Sequence, residues 1–395
     1  MQARRSEERR AAFWRGAGSL VNPRTSPLPV THGGRRAGAW LTVLVAGLTM
    51  FGLVMVLSAS SVASTYQSDS PFVKFEEQLM WAGIGAVVFL VARSVDYRWL
   101  QRIAIPITVL AGVLLVLTLI PGVGIRINGS RRWMGIGPVV IQPAELAKVA
   151  MIVFVADLLT RRARYMERAE LTVRPVLVVL GSYCGLILVQ PKLGTTIVLG
   201  TVAFTMLFIG GARIRNLAAW SLALGLAGAY FAYSAPYRRR RIFAYLDPFA
   251  DPLGDGLQTI QSQVGIASGG LLGVGLGAGR TKWGFLPYAD SDFIFALIAE
   301  EVGLIGGSAV ILAFLLFGYF GVRVALKAPD RFGMLLAVGI TTWLILQAFM
   351  NIGMAMGLMP ITGEPLPFVS AGGSGLVTAL GASGLLVNVA RRARL

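Results

Sequence analysis

The sequence predicts an all-α polytopic membrane protein of about ten transmembrane helices, with one large extracytoplasmic loop between the seventh and the eighth. Of its 395 residues, 55% are hydrophobic and only 14% are charged, whereas soluble proteins carry about 25% charged residues. Apolar runs of roughly 17 to 25 residues recur, and this length crosses a hydrocarbon core of about 30 Å. The basic residues cluster at the ends of these runs, which argues against nucleic-acid binding despite a net charge of +17.

The chain contains one cysteine and one histidine, too few for an internal disulfide or for histidine-dependent acid–base catalysis. The only cysteine, Cys184, lies in an apolar run, so no internal disulfide can form. The only histidine, His32, lies in the N-terminal segment. Acid–base chemistry would therefore fall to carboxylates.

Two parts of the chain differ in composition. Residues 1–36 are polar and rich in arginine, which predicts a disordered cytoplasmic tail. Residues 37–395 hold the apolar runs and form the predicted membrane domain. The ten predicted spans cover about 40–58, 78–95, 103–120, 143–159, 175–189, 195–210, 217–233, 304–322, 332–352 and 372–389.

The distribution of positive charge sets the predicted orientation. Ten spans place both termini on one side, and most of the 36 lysines and arginines fall in the segments on that side. Because cytoplasmic segments carry the excess of Lys and Arg, we expect both termini to be cytoplasmic and the large loop to face outward.

Residues 236–303, the large loop and the entrance to span eight, are charged and rich in glycine. The segment opens with Arg238–Arg241 and then places Asp247, Asp251 and Asp255 at intervals of four residues. Long loops on a rigid scaffold often carry function, although a merely solvated loop would also be charged. The arginine run suggests binding of anionic lipid or of a ligand that bears phosphate.

Three further outward-facing segments contain polar residues at the edge of apolar runs. In the first, Glu145 and Lys148 are three apart and share a helix face, as functional groups or as a structural ion pair. The second is the short break at 190–196, where Lys192 either reaches the interface or faces the same cavity. The third, 359–374, has too many prolines and glycines for a continuous helix.

These segments together resemble the SEDS family, which comprises FtsW, RodA and SpoVE. The resemblance covers the chain from about residue 37 to its end, and the arginine-rich tail and the stretch GLTMFGLVMVLSASS look more like FtsW than RodA. The motifs that carry it are RRW, QPAELAK, QPKLGTT, DPFADPLGDGLQ, LPYADSDFIFALIAEEVG and NIGMAMGLMPITGEPLPFVSAGGSG.

The resemblance implies a peptidoglycan glycosyltransferase of the bacterial cytoplasmic membrane. Such an enzyme polymerises lipid II into a growing glycan chain at the outer face, together with a class B penicillin-binding protein and other divisome or elongasome membrane proteins. It would need no organic cofactor, and a divalent cation, Mg or Mn, could assist. A lipid II flippase and a non-catalytic division scaffold remain the alternatives.

Family motifs also suggest the site residues. Asp251 matches the aspartate regarded as catalytic, and a carboxylate can take the proton from the acceptor hydroxyl. The substrate-binding residues that the motifs imply are Arg131, Arg132, Trp133, Glu145, Lys148, Lys192, Gln258, Ser370, Gly372, Gly373 and Ser374.

The chain departs from the usual family motifs at a few positions. Lys192 stands where the family has an aspartate, and Glu364 stands where it has an apolar residue. An unpaired lysine beside Lys148 would be costly, so we expect Lys192 and Glu364 to approach each other or to share a network with Glu145 and Lys148. The other departures are Leu257, Asp290, Ser291 and Ala371.

Overall fold

Helices form most of the structure, a computed structural model that describes residues 32–68, 70–127, 130–136, 139–234 and 236–393. Each of the ten predicted spans coincides with a helix. The helices are α1 His32–Ser68, α2 Val73–Ser94, α3 Leu100–Leu117, α4 Pro143–Arg161, α5 Val173–Val189, α6 Leu193–Ile209, α7 Ile214–Ser234, α8 Pro236–Leu246, α9 Leu257–Ser268, α10 Ile294–Lys327, α11 Arg331–Ala355 and α12 Gly373–Arg392.

Length and composition identify the helices that can cross a membrane. Within the described ranges, six segments are long and apolar enough: 34–62, 73–94, 97–117, 294–327, 331–355 and 373–392. The helices α5 and α6 are apolar but shorter. The protein is therefore a multi-pass membrane protein.

The first helix begins earlier than the sequence predicts. It starts at His32, so residues 32–36 of the predicted disordered tail are helical. The remainder of that tail, residues 1–31, lies outside the described residues.

The buried centre of the bundle is formed by α4, α11 and α12. Helix α12 packs against α1 and α2, while α11 contacts α4, α6 and α10. The side chains of Met151, Leu344 and Leu386 have no exposed surface. Glycine permits one close helix contact, because a Cβ at Gly339 would lie 2.7 Å from Ile152 Cγ2.

A small antiparallel sheet corrects the all-α prediction. Its strands, β1 Ile125–Ile127, β2 Ser130–Ile136 and β3 Val139–Ile141, lie between α3 and α4 in the order β1-β2-β3. Two of the strands have only three residues, too few for an alternating pattern to be recognised in the sequence.

The segment between α7 and α10 is folded. It contains α8, a 3₁₀ turn at Pro248–Ala250, and α9, which packs on α10. Within α10 the backbone breaks at Gly303, where φ is 75° and ψ is −171°. The predicted eighth span, from about residue 304, corresponds to the part of α10 after this break.

Two buried glutamates attach this segment to the bundle. Glu300 accepts hydrogen bonds from the backbone N–H groups of Arg280 and Thr281, at 2.7 and 3.2 Å. Glu301 pairs with Lys282 Nζ at 3.1 Å and accepts a hydrogen bond from Ser58 Oγ at 2.6 Å. The Lys282–Glu301 pair therefore links the segment to both α10 and α1.

We expect Lys282→Met to lower the melting temperature strongly. The side chains of Lys282 and Glu301 are 3% and 0% exposed, and removing one partner of a buried pair costs about 3–5 kcal/mol. The control is Lys74→Met, since Lys74 pairs with Asp290 while its own side chain is 38% exposed. Thermal unfolding of the purified proteins compares the two variants, and equal melting temperatures would contradict the role of Lys282.

Candidate functional site

Four charged side chains meet in the interior of the bundle. Glu145 and Lys148 come from α4, Lys192 precedes α6, and Glu364 lies between α11 and α12. Their exposed fractions are 2%, 1%, 6% and 0%. Two lysines and two glutamates give this cluster no net charge, which is the condition under which buried ions are tolerated.

Every lysine in the cluster has two carboxylate partners. Lys148 Nζ lies 2.9 Å from Glu145 Oε2 and 3.7 Å from Glu364 Oε2. Lys192 Nζ lies 3.8 Å from Glu145 Oε1 and 3.7 Å from Glu364 Oε1. The expectation that Lys192 and Glu364 approach each other and share a network with Glu145 and Lys148 is confirmed.

Neutral side chains around the cluster hold the lysines in place. Lys148 Nζ donates to Gln347 Oε1 at 2.9 Å and lies 5.0 Å from the centre of the Trp343 ring. Lys192 Nζ donates to Gln142 Oε1 at 3.3 Å. Thr195 Oγ1 donates a short hydrogen bond to Glu364 Oε1. The helices α4, α6 and α11 are thereby joined through one polar centre.

The irregular segment between α11 and α12 brings Glu364 into this centre. Gly363 and Phe368 have φ values of 68° and 67°, so the chain cannot continue as a helix there. Asn351 Nδ2 donates to the backbone oxygen of Glu364 at 2.8 Å, and Gln347 Nε2 donates to that of Pro365 at 2.9 Å. Side chains of α11 therefore replace the missing helical hydrogen bonds.

A small cavity adjoins Glu145. Its volume is about 20 Å³, and its lining includes Glu145, Gln347, Ser370 and Gly372. A cavity of this size holds about one water molecule. Neither oxygen of Glu145 has a well-aligned hydrogen bond within the described residues, so this carboxylate retains acceptor capacity toward the cavity.

The predicted binding residues at the start of α12 have structural contacts. Ser370 Oγ donates to the backbone oxygen of Ser291 at 2.6 Å, and Ser374 Oγ accepts from the backbone N–H of Gln142 at 3.1 Å. A Cβ at Gly373 would lie 2.3 Å from Trp81 Nε1, so only glycine permits this contact with α2. The role of these residues and of Gly372 in binding substrate stays a prediction.

The residues of β2 lie near the turn between α5 and α6. Arg132 Nε donates to the backbone oxygen of Gln190 at 2.7 Å, and its guanidinium also donates to that of Pro191 at 3.1 Å. Trp133 is paired with Ile125 in the sheet, beside the half-buried Arg131. Arg132 thus supports the turn that presents Lys192, and a phosphate contact by Arg131 or Arg132 stays a prediction.

Asp251 lies on the surface, apart from the buried cluster. It follows the 3₁₀ turn that Asp247 caps by accepting from the backbone N–H of Phe249 at 3.1 Å. The Oδ2 atom of Asp251 accepts a hydrogen bond from the backbone N–H of Asp255 at 3.1 Å. A Cβ at Gly254 would lie 2.1 Å from the same oxygen, so any larger residue there would displace the Asp251 carboxylate.

The surroundings of Asp251 carry charge of both signs. Arg240 Nε lies 3.7 Å from Asp255 Oδ2, and Arg241 donates to the backbone oxygen of Ile361 at 3.5 Å. The side chain of Arg238 lies outside the described residues. Gln258 is half-buried in the first turn of α9. Among the described residues, no hydrogen bond or ion pair joins Asp251 to the buried cluster.

Asp292 was absent from the predicted site, although it lies between the cluster and the surface loop. Burial raises the pKa of its carboxyl to about 6, with Glu364 and Asp290 raising it further and Lys192 and Arg241 opposing the shift. Its backbone oxygen accepts from Asn351 Nδ2 at 2.7 Å. The only sequence signal was an acidic residue directly before an apolar helix.

No cluster among the described residues could by itself hold a metal ion, since three or more His, Cys, Asp or Glu side chains do not converge there. Asp251 and Asp255 offer at most two neighbouring carboxylates. These residues fit a cation that is held mainly by a phosphate-bearing ligand, as Mg²⁺ often is.

Comparisons with known proteins cover nearly the whole chain. The family model for FtsW, RodA and SpoVE, described as a cell cycle protein, matches residues 39–395. Stage V sporulation protein E of Bacillus subtilis strain 168 is 42% identical over 355 residues, which are 90% of this chain and 97% of that protein. The probable peptidoglycan glycosyltransferase FtsW of Geobacter metallireducens is 41% identical, with coverage of 89% and 94%.

Solved structures share the fold. A chain from a structure on the coordination of polymerization and crosslinking by a peptidoglycan synthase complex has a TM-score of 0.73 and 31% identity, with coverage of 90% of this chain and 98% of that one. The Thermus thermophilus rod shape determining protein RodA has a TM-score of 0.65 and 28% identity, with coverage of 90% and 97%.

We expect the mutations Lys192→Met and Glu364→Met to be energetically coupled. Each single change leaves a buried charge without its opposite, whereas the double change removes both, so the double variant should be more stable than the sum of the single effects predicts. Contacting residues typically show coupling of roughly 0.5–3 kcal/mol. A double-mutant cycle read out by thermal unfolding measures it. Lys192→Met combined with Glu167→Gln, a change at an exposed residue, is the control and should be additive.

The pH dependence of stability should change in Asp292→Asn. The carboxyl has a pKa of about 6 in the folded protein and an ordinary value of 3.8. The folded state therefore holds this proton more tightly, so the stability that it contributes is full below pH 4 and is lost as the pH rises toward 6. Unfolding measured from pH 4 to pH 7 should show a smaller decline in Asp292→Asn. If the stability of Asp292→Asn declines as steeply with pH as that of the unsubstituted protein, groups other than Asp292 cause the decline.

Proposed function

Because the chain belongs to the FtsW, RodA and SpoVE family of cell cycle proteins, we propose that it is a peptidoglycan glycosyltransferase that polymerises lipid II at the outer face of the cytoplasmic membrane. The observation that carries this proposal is the near-complete match to relatives named as probable peptidoglycan glycosyltransferases, at about 40% identity. Cell division is the process in which we place it, since those relatives are named FtsW.

The proposed topology has ten spans, formed by α1–α7 and α10–α12. Both termini are cytoplasmic in this arrangement, and α8 and α9 belong to the outward loop. The contact between α1 and α12 supports the common side, because a Cβ at Gly38 would lie 3.2 Å from Arg391 Cγ. The excess of arginine at that end supports its cytoplasmic location.

In the proposed reaction, the 4-hydroxyl of the acceptor sugar attacks the anomeric carbon of the donor sugar. The new glycosidic bond forms as the bond to the lipid pyrophosphate breaks, and the lipid pyrophosphate leaves. Asp251 accepts the hydroxyl proton as the general base. Its exposed position on the loop is accessible to an acceptor sugar outside the membrane.

Cationic groups would stabilise the departing pyrophosphate. The exposed Arg239 and Arg240 of α8 are suited to this task because a guanidinium offers paired donors to phosphate oxygens. A divalent cation, Mg²⁺ or Mn²⁺, would be held mainly by the pyrophosphate and would supply further positive charge.

We assign the buried cluster an organising role in the same reaction. Glu145 has unused acceptor capacity beside a cavity that holds about one water molecule. A lipid II headgroup is far larger than this cavity, so we place the sugars on the outer loop and not within the described bundle. The cluster then fixes the segments from which the loop residues project.

A class B penicillin-binding protein is the proposed partner. The support is the likeness to a chain of a peptidoglycan synthase complex in which polymerization and crosslinking are coordinated. A glycan polymerase and a crosslinking enzyme act on the same strand, so their association would place the new strand next to the crosslinking enzyme. Other division proteins of the membrane would join this pair.

We expect Asp251→Asn to abolish glycan polymerisation while the protein remains folded. Amide nitrogen cannot accept the proton, and loss of a general base costs about 10²–10⁴-fold in rate. Polymerisation of labelled lipid II by the purified protein with its partner measures the loss, and thermal unfolding verifies the fold.

Asp255→Asn is the matched control, because it changes a carboxylate of the same loop and keeps the backbone N–H that binds Asp251. Asp247→Asn serves as a second control at the capped turn. An active Asp251→Asn enzyme beside an inactive Asp247→Asn or Asp255→Asn enzyme would show that the base is assigned to the wrong residue.

A further inference from the structure

A large cleft is lined by none of the site residues described above. Its volume is about 1370 Å³, whereas pockets for small molecules usually measure about 300–1,000 Å³. Helix α2 packs on α12, α3 packs on α4, and the cleft lies between these two pairs. Its size and location suit a long, flexible ligand.

Most of the cleft wall is apolar. It includes Val88 and Val91 of α2, Val149 of α4, and Val377 and Leu385 of α12. The lining on α4 extends from Leu146 to Arg161, a rise of about 22 Å at 1.5 Å per residue. This exceeds half of a hydrocarbon core of about 30 Å, so the cleft can accommodate an acyl chain from one leaflet along its whole length.

One end of the cleft is charged. The lining there includes Asp96 and Asp157, which are paired with Arg98 at 3.1 Å and with Arg161 at 2.8 Å. Arg102 also lines this end and is exposed. No hydrogen bond or ion pair engages Arg102 in the described ranges, so the mouth has one positive charge in excess.

Further arginines surround the same end of the bundle. The guanidinium of Arg391 is repelled by Arg35, Arg93 and Arg392, where α1 begins and α12 ends. Neighbouring like charges destabilise one another, and an anion among them offsets the repulsion. Trp99, half-exposed at the mouth, is a residue type enriched at membrane interfaces.

We propose that this cleft binds an anionic phospholipid of the leaflet on the side of the chain termini. One acyl chain lies along Val88, Val149 and Val377, and the phosphate contacts the guanidinium of Arg102. An apolar channel with a guanidinium at its mouth matches both parts of such a lipid. The proposed polymerisation takes place at the other face of the membrane, so this site is separate from the substrate's headgroup.

The experiment uses the full-length protein in nanodiscs of phosphatidylglycerol and phosphatidylcholine in equal amounts. In one sample the phosphatidylglycerol carries a photoactivatable group in its acyl chain, and in the other the phosphatidylcholine does. Mass spectrometry then locates the cross-linked residues. We expect labelling of the cleft residues of α2, α4 and α12 to be about fivefold stronger from phosphatidylglycerol, since one arginine near a membrane surface contributes about that much.

Two variants and one control test the geometry. Arg102→Glu should reduce cleft labelling by phosphatidylglycerol to the level of phosphatidylcholine. Val91→Trp should reduce labelling of the cleft residues, because the larger side chain blocks the cleft. It should not crowd the core, since the side chain of Val91 is 55% exposed. Arg164→Glu changes an exposed arginine at the same end that does not line the cleft, and should leave labelling unchanged.

Other results would overturn the proposal. Equal cleft labelling by the two lipids would remove the preference for an anionic headgroup. Strong labelling in both Arg102→Glu and Val91→Trp would show that the lipid lies elsewhere. Because the readout is lipid labelling and not glycan synthesis, either result leaves the proposed polymerase activity untouched.

Discussion

Burial of Glu145, Lys148, Lys192 and Glu364 in one cluster constrains the whole bundle. Each charge loses several kcal/mol of hydration on transfer from water, and attraction offsets this only when the geometry is good and the charges balance. The four groups come from α4, from the start of α6 and from the segment after α11. These elements must therefore keep their relative positions, since a shift of any one would leave an unpaired charge in the interior.

The irregular chain before α12 follows from the same constraint. A helix through residues 356–372 would satisfy its own backbone, but it would not let Glu364 point at the two lysines while Ser370 reaches the loop before α10. The structure instead satisfies that backbone with Gln347 and Asn351 of α11. Ser370 then binds the backbone oxygen of Ser291. The segment before α10 is in this way connected to the charged centre without a direct contact by Asp251.

Apolar runs predicted all ten long helices because burial in a membrane requires length and low polarity, and both are visible in composition. The same signal could not show the sheet at 125–141, whose strands are too short for a pattern. It could not show that Arg132 binds the backbone of residues 190 and 191, because that contact joins distant segments. The Lys192–Glu364 pairing was predictable, since it needed only the requirement that buried charges balance. Asp292 gave no comparable signal, as its pKa depends on neighbours that only the fold brings together.

The requirement that buried charges balance also explains why Lys192 and Glu364 occur together. With the aspartate and the apolar residue that the resemblance implies at positions 192 and 364, the same centre would contain Glu145, Lys148 and one aspartate, and its net charge would be −1. Lys192 alone would change this to +1, and Glu364 alone would change it to −2. Both replacements together leave the centre neutral, which matches the four ion pairs at 2.9 to 3.8 Å. Lys192 and Glu364 therefore balance each other's charge, and either one alone would leave the centre with a net charge.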